Sequence, residues 1–100
     1  MEIKIKGKSY KMKYTLRAII VFEKITKKAF SLDTYTDQLV YFYSLLLANN
    51  PEMSLTMDEL INAIDEDSNI LEEYLSFLKS EKSKENLFSH SGKEEDKKKG

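Results

Sequence analysis

The acidic stretch at residues 65–69 is the part of the chain that comes closest to a metal-binding motif. Its residues, Asp-Glu-Asp-Ser-Asn, place oxygen-bearing side chains where a calcium-binding loop has its first three ligands. The rest of that loop does not fit, because its glycine position is Ile70 and its bidentate glutamate position is Ser76. We therefore expect no calcium site, and we expect these acids to favour the start of a helix through its dipole.

Side chains that could carry out catalysis are scarce. The chain has no cysteine and one histidine, His90, which lies in a polar C-terminal region. Its three glycines are too scattered for a phosphate-binding loop, and no two carboxylates form a recognisable acid and base pair. The sequence therefore predicts a protein that is not an enzyme and needs neither a metal nor another cofactor.

Arg17 is the only arginine among sixteen basic residues. It stands at the start of a predicted helix, where its forked guanidinium could bridge to the acidic part of the chain. We expect Arg17 to form a structural ion pair and not to take part in catalysis.

Charged residues are divided unevenly along the chain. Residues 1–30 contain nine basic and two acidic residues, whereas residues 31–78 contain ten acidic residues and no basic one. Either the two parts lie close together and their fields partly cancel, or the lysine-rich part binds nucleic acid. The single arginine, the lack of an aromatic RNA-binding motif and the acidic neighbour argue against the second interpretation. We predict no nucleic-acid partner.

Residues 39–48 form a nearly continuous apolar run that is interrupted only by Ser44. As a helix this run would be roughly 15 Å long, about half the thickness of a bilayer core, so it is too short to cross a membrane. We expect a helix that is covered on every side, by its own domain or by another protein. The N-terminus alternates charged and apolar residues and shows no signal peptide, which predicts a cytoplasmic protein without a membrane partner.

The N-terminal segment has the alternation of a β-hairpin. Residues 2–6 and 9–13 alternate apolar and polar side chains, and Gly7 and Lys8 fit a two-residue turn. This turn predicts a register that pairs Ile5 with Tyr10 and Ile3 with Met12. One face of the hairpin would then be apolar and would pack against a helix.

Three threonines are predicted to begin helices by accepting a hydrogen bond from the backbone of the first turn. Thr15 precedes a helix that ends near Lys28, and Thr34 precedes the central helix. Thr56 and Glu59 form a capping box at the start of a third helix, and a fourth helix follows. The inward residues of the last two helices are predicted to be Leu60, Ile61 and Ile64, and then Ile70, Leu71, Tyr74, Leu75 and Leu78.

These elements predict an α+β fold, in which an N-terminal β-hairpin is followed by a bundle of about four helices. Residues 1–78 would form this domain. Residues 79–100 would form a charged tail that is largely disordered or partly helical, since it contains few large apolar side chains. A core of about 80 residues is only marginally large enough to be stable alone, so a homo-oligomer is an open alternative.

From the turn at Gly7 to about Leu78, the chain resembles the small tail assembly chaperones of long-tailed phages and related prophages. The resemblance rests on the order and spacing of these segments: Tyr14-Thr15-Leu16-Arg17-Ala18, Phe22-Glu23-Lys24-Ile25-Thr26, Phe30, an aromatic and leucine-rich helix that ends Ala48-Asn49-Asn50, Leu55-Thr56-Met57-Asp58-Glu59-Leu60, and Asp65-Glu66-Asp67. One departure is that residues 26–30 lack the glycine and proline expected in that connection.

The resemblance implies a chaperone that coats the long, aggregation-prone tape measure protein and helps to recruit tail tube subunits, without catalysis or a cofactor. The alternative is a small intracellular adaptor or regulatory module that binds another protein through the same apolar surface. For either role, the expected contact residues are the surplus apolar side chains Tyr35, Tyr41, Tyr43 and Leu47. The opposing interpretation is that these four side chains only fill the core.

Residues 97–100, Lys-Lys-Lys-Gly, can be encoded by an adenine run that ends in guanine. Chaperones of this family undergo translational frameshift on such runs to make a longer product. The resemblance therefore predicts an overlapping downstream reading frame that is entered near codon 97. An ordinary solvated, lysine-rich end is the alternative.

Overall fold

The computed structural model describes the backbone of residues 1–90 and the side chains of residues 1–80. Within this part, an antiparallel hairpin is followed by four helices: β1 (Glu2–Ile5), β2 (Lys8–Lys11), α1 (Leu16–Thr26), α2 (Tyr35–Asn49), α3 (Met57–Glu66) and α4 (Asn69–His90). The predicted α+β arrangement of a hairpin and four helices is confirmed.

The fourth helix is longer than the sequence predicts. Its backbone continues to His90 and crosses the predicted end of the domain at Leu78 without a break. The described backbone of residues 79–90 is therefore helical. The rest of the predicted tail, residues 91–100 with the lysines near codon 97, lies outside the described residues.

The hairpin turn lies one residue earlier than predicted. Lys6 and Gly7 both have positive φ, 53° and 79°, as a two-residue type I′ turn requires. The predicted register is wrong, because the strands pair Ile3 with Tyr10 and Ile5 with Lys8. Both turns are allowed for a hairpin with Gly7, so the local sequence does not decide between them. The two registers differ by a slide of two residues, which leaves each side chain on its predicted face.

The predicted starts of three helices are confirmed. The Thr15 hydroxyl accepts a hydrogen bond from the first turn of α1 at 3.2 Å. Thr34 and Asp37 form a capping box at the start of α2, and Thr56 and Glu59 form one at the start of α3. These caps fix where each helix begins, and hence which of its side chains face its neighbours.

Helix α2 is the centre of the core, and two consecutive aromatic residues pack against different neighbours. The Tyr41 ring lies edge-on to Phe22 and Phe30, with centroids 6.4 and 4.9 Å away. The Phe42 ring stacks on Tyr74 of α4 at 4.5 Å and 11°. Helices α1 and α4 therefore cover different sides of the apolar run, as expected for a helix buried on all sides. In the described part of the chain, no helix has the length and apolar content to cross a bilayer.

The C-terminal end of α2 holds the hairpin in place. The Asn50 side chain accepts a hydrogen bond from the Lys11 backbone N–H and donates one to the Lys11 carbonyl, both at 2.9 Å. The Asn49 amide donates to the Lys13 carbonyl at 2.9 Å. These bonds hold β2 at the end of the helix while the apolar face of the hairpin is buried, with Ile3 and Ile5 almost fully covered.

Candidate functional site: an apolar groove between three helices

A shallow groove of about 180 Å³ opens between α2, α3 and α4. Its walls are mainly apolar, and the apolar side chains that line it are Tyr35, Leu39, Ile61, Ile64 and Leu71. Gln38 and Asp65 supply the polar part of the lining. Tyr35 is 94% exposed, which is far more than a tyrosine that only fills a core.

Helical spacing explains how the groove is assembled. Tyr35 and Leu39 are four residues apart on α2, and Ile61 and Ile64 are three apart on α3, so each pair shares a helix face. The core-facing side of α3 carries Leu60 and Ala63 instead, both nearly fully buried. The groove residues of α3 are therefore a second apolar face, which the core covers only in part.

The groove residue Gln38 is held by hydrogen bonds to two other parts of the chain. The Tyr74 hydroxyl donates a hydrogen bond to Gln38 Oε1 at 3.0 Å, and the Gln38 amide donates to the Leu32 carbonyl at 3.2 Å. Burial raises the pKa of the Tyr74 phenol, with a smaller contribution from Tyr41, so the hydroxyl stays protonated and able to donate. Together with the stacked ring of Phe42, these bonds fix α4 against α2.

The structure separates the four predicted contact residues. Tyr35 is exposed and lines the groove, whereas Tyr41 is fully buried among Phe22 and Phe30, as the opposing interpretation of a core residue expects. Tyr43 is half-buried, and its hydroxyl donates a hydrogen bond to the Leu55 carbonyl at 2.8 Å. Burial raises the pKa of the Tyr43 phenol, and the nearby Glu59 carboxylate adds to that effect. Leu47 is half-buried and lies outside the groove lining.

Four apolar residues of the groove were not among the predicted contacts: Leu39, Ile61, Ile64 and Leu71. The sequence assigns Ile61, Ile64 and Leu71 to the core, and all three are half-buried. For Ile61 and Ile64, the signal in the sequence is the width of the apolar stripe of α3. Leu60, Ile61, Ala63 and Ile64 span more of the helix surface than one short neighbour can cover.

One ion pair is present among the described side chains, and Arg17 is not part of it. Lys28 Nζ lies 2.8 Å from Oδ1 of Asp37, which is only 3% exposed. Arg17 lies on an exposed face of α1, and its predicted ion pair stays a prediction. Helix α1 ends at Thr26, since Lys27 is left-handed with φ 61°. The helix therefore ends before the predicted position near Lys28, and the turn of the chain brings Lys28 to the Asp37 carboxylate.

The Asp37 carboxylate is held in its charged form. The hydrogen bond from Lys28 lowers the pKa of Asp37 most, and hydrogen bonds from the backbone N–H groups of Asp33 and Thr34 lower it further. Burial acts in the opposite direction but does not outweigh them. This cluster connects the end of α1 to the start of α2, beside the position of Tyr35.

The surroundings of the groove are acidic. Asp65 lines it, and Asp58 lies on the same face of α3, three residues before Ile61. Both carboxylates are exposed. Residues 31–78 contain no basic side chain, so no residue of these three helix faces before Lys79 can neutralise them.

The acidic stretch at residues 65–69 has a structural role. Glu66 is the last residue of α3, and the Asp67 carboxylate accepts a hydrogen bond from the Asn69 backbone N–H at 3.1 Å. In the described residues, no three His, Cys, Asp or Glu side chains are grouped as metal ligands would be.

Comparisons with protein-family models, with curated proteins and with solved structures found no match to this chain. The groove is therefore interpreted from its own geometry and from the sequence pattern.

Proposed function

We propose that this protein is a phage tail assembly chaperone, which binds the tape measure protein during tail assembly in the host cytoplasm. The single observation that supports the proposal best is the apolar groove between α2, α3 and α4, with Tyr35 94% exposed at its mouth. Exposed apolar surface of this kind is typical of sites that bind another polypeptide. The order and spacing of the sequence segments, which resemble that family, are the second support.

The proposed mechanism is the temporary covering of apolar segments. A long tape measure protein would expose apolar stripes before the tail tube surrounds it. Many copies of this chain would each cover one segment by burying it against the groove, and would release it when tube subunits bind. Release needs no catalysed reaction, because the relative binding energies of the two contacts set the order in which they form.

Co-expression tests the proposal. The tape measure protein is the product of the long coiled-coil gene expected downstream of this one, with a tube protein gene upstream. Co-expression with this chain is expected to raise the soluble fraction of the tape measure protein several-fold. Tyr35→Asp should remove most of that gain, because it places a charge at the mouth of the groove.

The matched control is Leu16→Asp, which makes the same kind of change at an apolar residue of α1 that is 59% exposed and lies outside the groove. This variant should keep the gain in solubility. A tape measure protein that stays insoluble with the unaltered chain contradicts the proposal. That result would favour the adaptor or regulatory module that binds a different protein.

A further inference from the structure

We infer that the groove binds a basic amphipathic helix, with the apolar stripe of that helix in the groove and its lysine or arginine side chains facing the acidic rim. This inference rests on the proposed function, since it states which segments of the tape measure protein the chain would cover. It also defines a partner chemistry that can be tested without that protein.

The size of the groove favours side chains of a polypeptide over a small molecule. Its volume of about 180 Å³ lies below the roughly 300–1,000 Å³ of most small-molecule pockets. A groove of this size accepts one or two large apolar side chains at a time. A partner that presents such side chains at regular spacing therefore gains more from the groove than a compact ligand does.

The walls favour a helical partner over an extended one. All three walls are helices whose backbone N–H and C=O groups are bonded within the helix, so they offer no partners to an added strand. A helix satisfies its own backbone hydrogen bonds and presents side chains at i, i+3 and i+4. It is the element whose side chains can enter this groove without leaving backbone groups unpaired.

Charge complementarity selects a basic partner. Asp58 and Asp65 flank Ile61 on the same face of α3. Both carboxylates are exposed, and neither takes part in the one ion pair of the described side chains, that of Lys28 with Asp37. Lysine or arginine beside the apolar stripe of a bound helix would meet these carboxylates, whereas glutamate would be repelled.

The experiment measures binding of synthetic peptides to the full chain by fluorescence anisotropy. The first peptide has about 18 residues, enough to form a helix, with leucines at i, i+3, i+4 and i+7 and lysines beside them. The second replaces the lysines by glutamates, and the third keeps the lysines but replaces the leucines by serines. The lysine peptide should bind at least about tenfold tighter than either of the others at low salt.

Two substitutions test the residues that carry the inference. Asp65→Lys should weaken binding of the lysine peptide about fivefold or more and strengthen binding of the glutamate peptide. Its matched control is Glu52→Lys, the same change of charge at an exposed loop residue outside the groove lining, which should leave both affinities within about twofold. Tyr35→Ser should weaken the lysine peptide, whereas Leu16→Ser should not. Both residues are exposed, so neither change removes core packing.

The inference is overturned if the glutamate peptide binds as tightly as the lysine peptide, or if Asp65→Lys changes neither affinity. Charge-selective binding without any gain in tape measure solubility supports the inference and rejects the proposed function. A gain in solubility without charge-selective binding supports the proposed function and rejects the inference. The two failures can therefore be told apart.

Discussion

At the scale of single residues, Asn50 shows how one side chain can replace a stretch of backbone. Its amide presents an acceptor and a donor to the N–H and C=O of Lys11, as a neighbouring strand would. The same amide nitrogen also donates to the Leu46 carbonyl at the end of α2. One residue therefore joins the last turn of the central helix to the hairpin.

Asn50→Ala should lower the free energy of unfolding by about 1–2 kcal/mol, because it removes the hydrogen bonds that join Lys11 to the end of α2. Urea unfolding followed by circular dichroism measures this change. The control is Asn62→Ala at an exposed position of α3, which should change the free energy by less than about 0.5 kcal/mol. An equal effect of the two substitutions would show that the Asn50 bonds do not hold the hairpin.

The ion pair of Lys28 and Asp37 predicts how stability depends on pH. The folded-state pKa of Asp37 is lowered, so the unfolded chain binds a proton at a higher pH than the folded chain does. The contribution of Asp37 is therefore fully present above the unfolded pKa of about 4, and it is lost as pH falls through the lower folded pKa.

Lys28→Met should reduce this acid-dependent loss, because the hydrogen bond from Lys28 is the largest cause of the lowered Asp37 pKa. Urea unfolding between pH 2 and 6 measures it. Lys24→Met makes the same change on an exposed residue of α1 outside that ion pair, and its acid dependence should follow the parent. If the two variants behave alike, the ion pair does not set the acid limb of the stability curve.

At the scale of elements, local signals predicted most of the fold and missed most of the groove. Capping threonines, alternation and the turn at Gly7 act over a few residues, so the sequence contains them. Whether Ile61 and Ile64 face the core or the solvent depends on how α4 and α2 pack around α3. Those contacts join distant parts of the chain, and a run that is apolar on all sides, such as that around Tyr41, gives no sign of which face remains open.

The hairpin turn gives a test of the register. Lys6→Asn should raise the free energy of unfolding by up to about 1 kcal/mol, because Asn-Gly is the preferred pair of a type I′ turn and Lys6 has φ 53°. Gly7→Ala should lower it by about 1–2 kcal/mol. The cause is backbone strain at φ 79°, since the added methyl group would meet no atom within 4 Å.

Chemical unfolding of these two variants and of Lys4→Asn provides the measurement. Lys4 is in the middle of β1, where asparagine is unfavourable, so this variant should be less stable than the parent. A gain from Lys4→Asn, or a loss from Lys6→Asn, would contradict the observed turn.

At the scale of the whole molecule, the net charge of −1 conceals a basic N-terminal part and an acidic part that the fold brings into contact. Helix α1 packs on α2, strand β1 of the basic hairpin packs on α4, and Lys4 and Lys6 line the same cavity as Glu66 and Asp67. The uneven distribution of charge is visible in the sequence. One of its two interpretations is that the basic and acidic parts lie close together, so that their fields partly cancel. A single ion pair among the described side chains is the direct contact that the fold provides. Asp58 and Asp65, beside the groove, take no part in that ion pair.

The predicted domain of residues 1–78 can be tested by truncation. A chain that ends after Ser80 should unfold within about 4 °C of the full chain, because Phe77 is the last side chain of the described core. A chain that ends after Ser68 should not fold, since it lacks Ile70, Tyr74 and Phe77. Thermal unfolding followed by circular dichroism distinguishes them, and a large loss in the longer chain would move the domain end beyond Ser80.

The side chain of Asn50 also affects how crowded copies of this protein meet. An unpaired strand edge exposes backbone N–H and C=O groups to which a strand of another chain can pair. Repeated pairing of this kind leads to aggregation. In β2 the Lys11 groups that would begin this addition are already occupied by an asparagine of the same molecule. The Asn50 side chain therefore blocks strand addition at Lys11, and the partner contacts proposed for this protein are made by side chains of the groove instead.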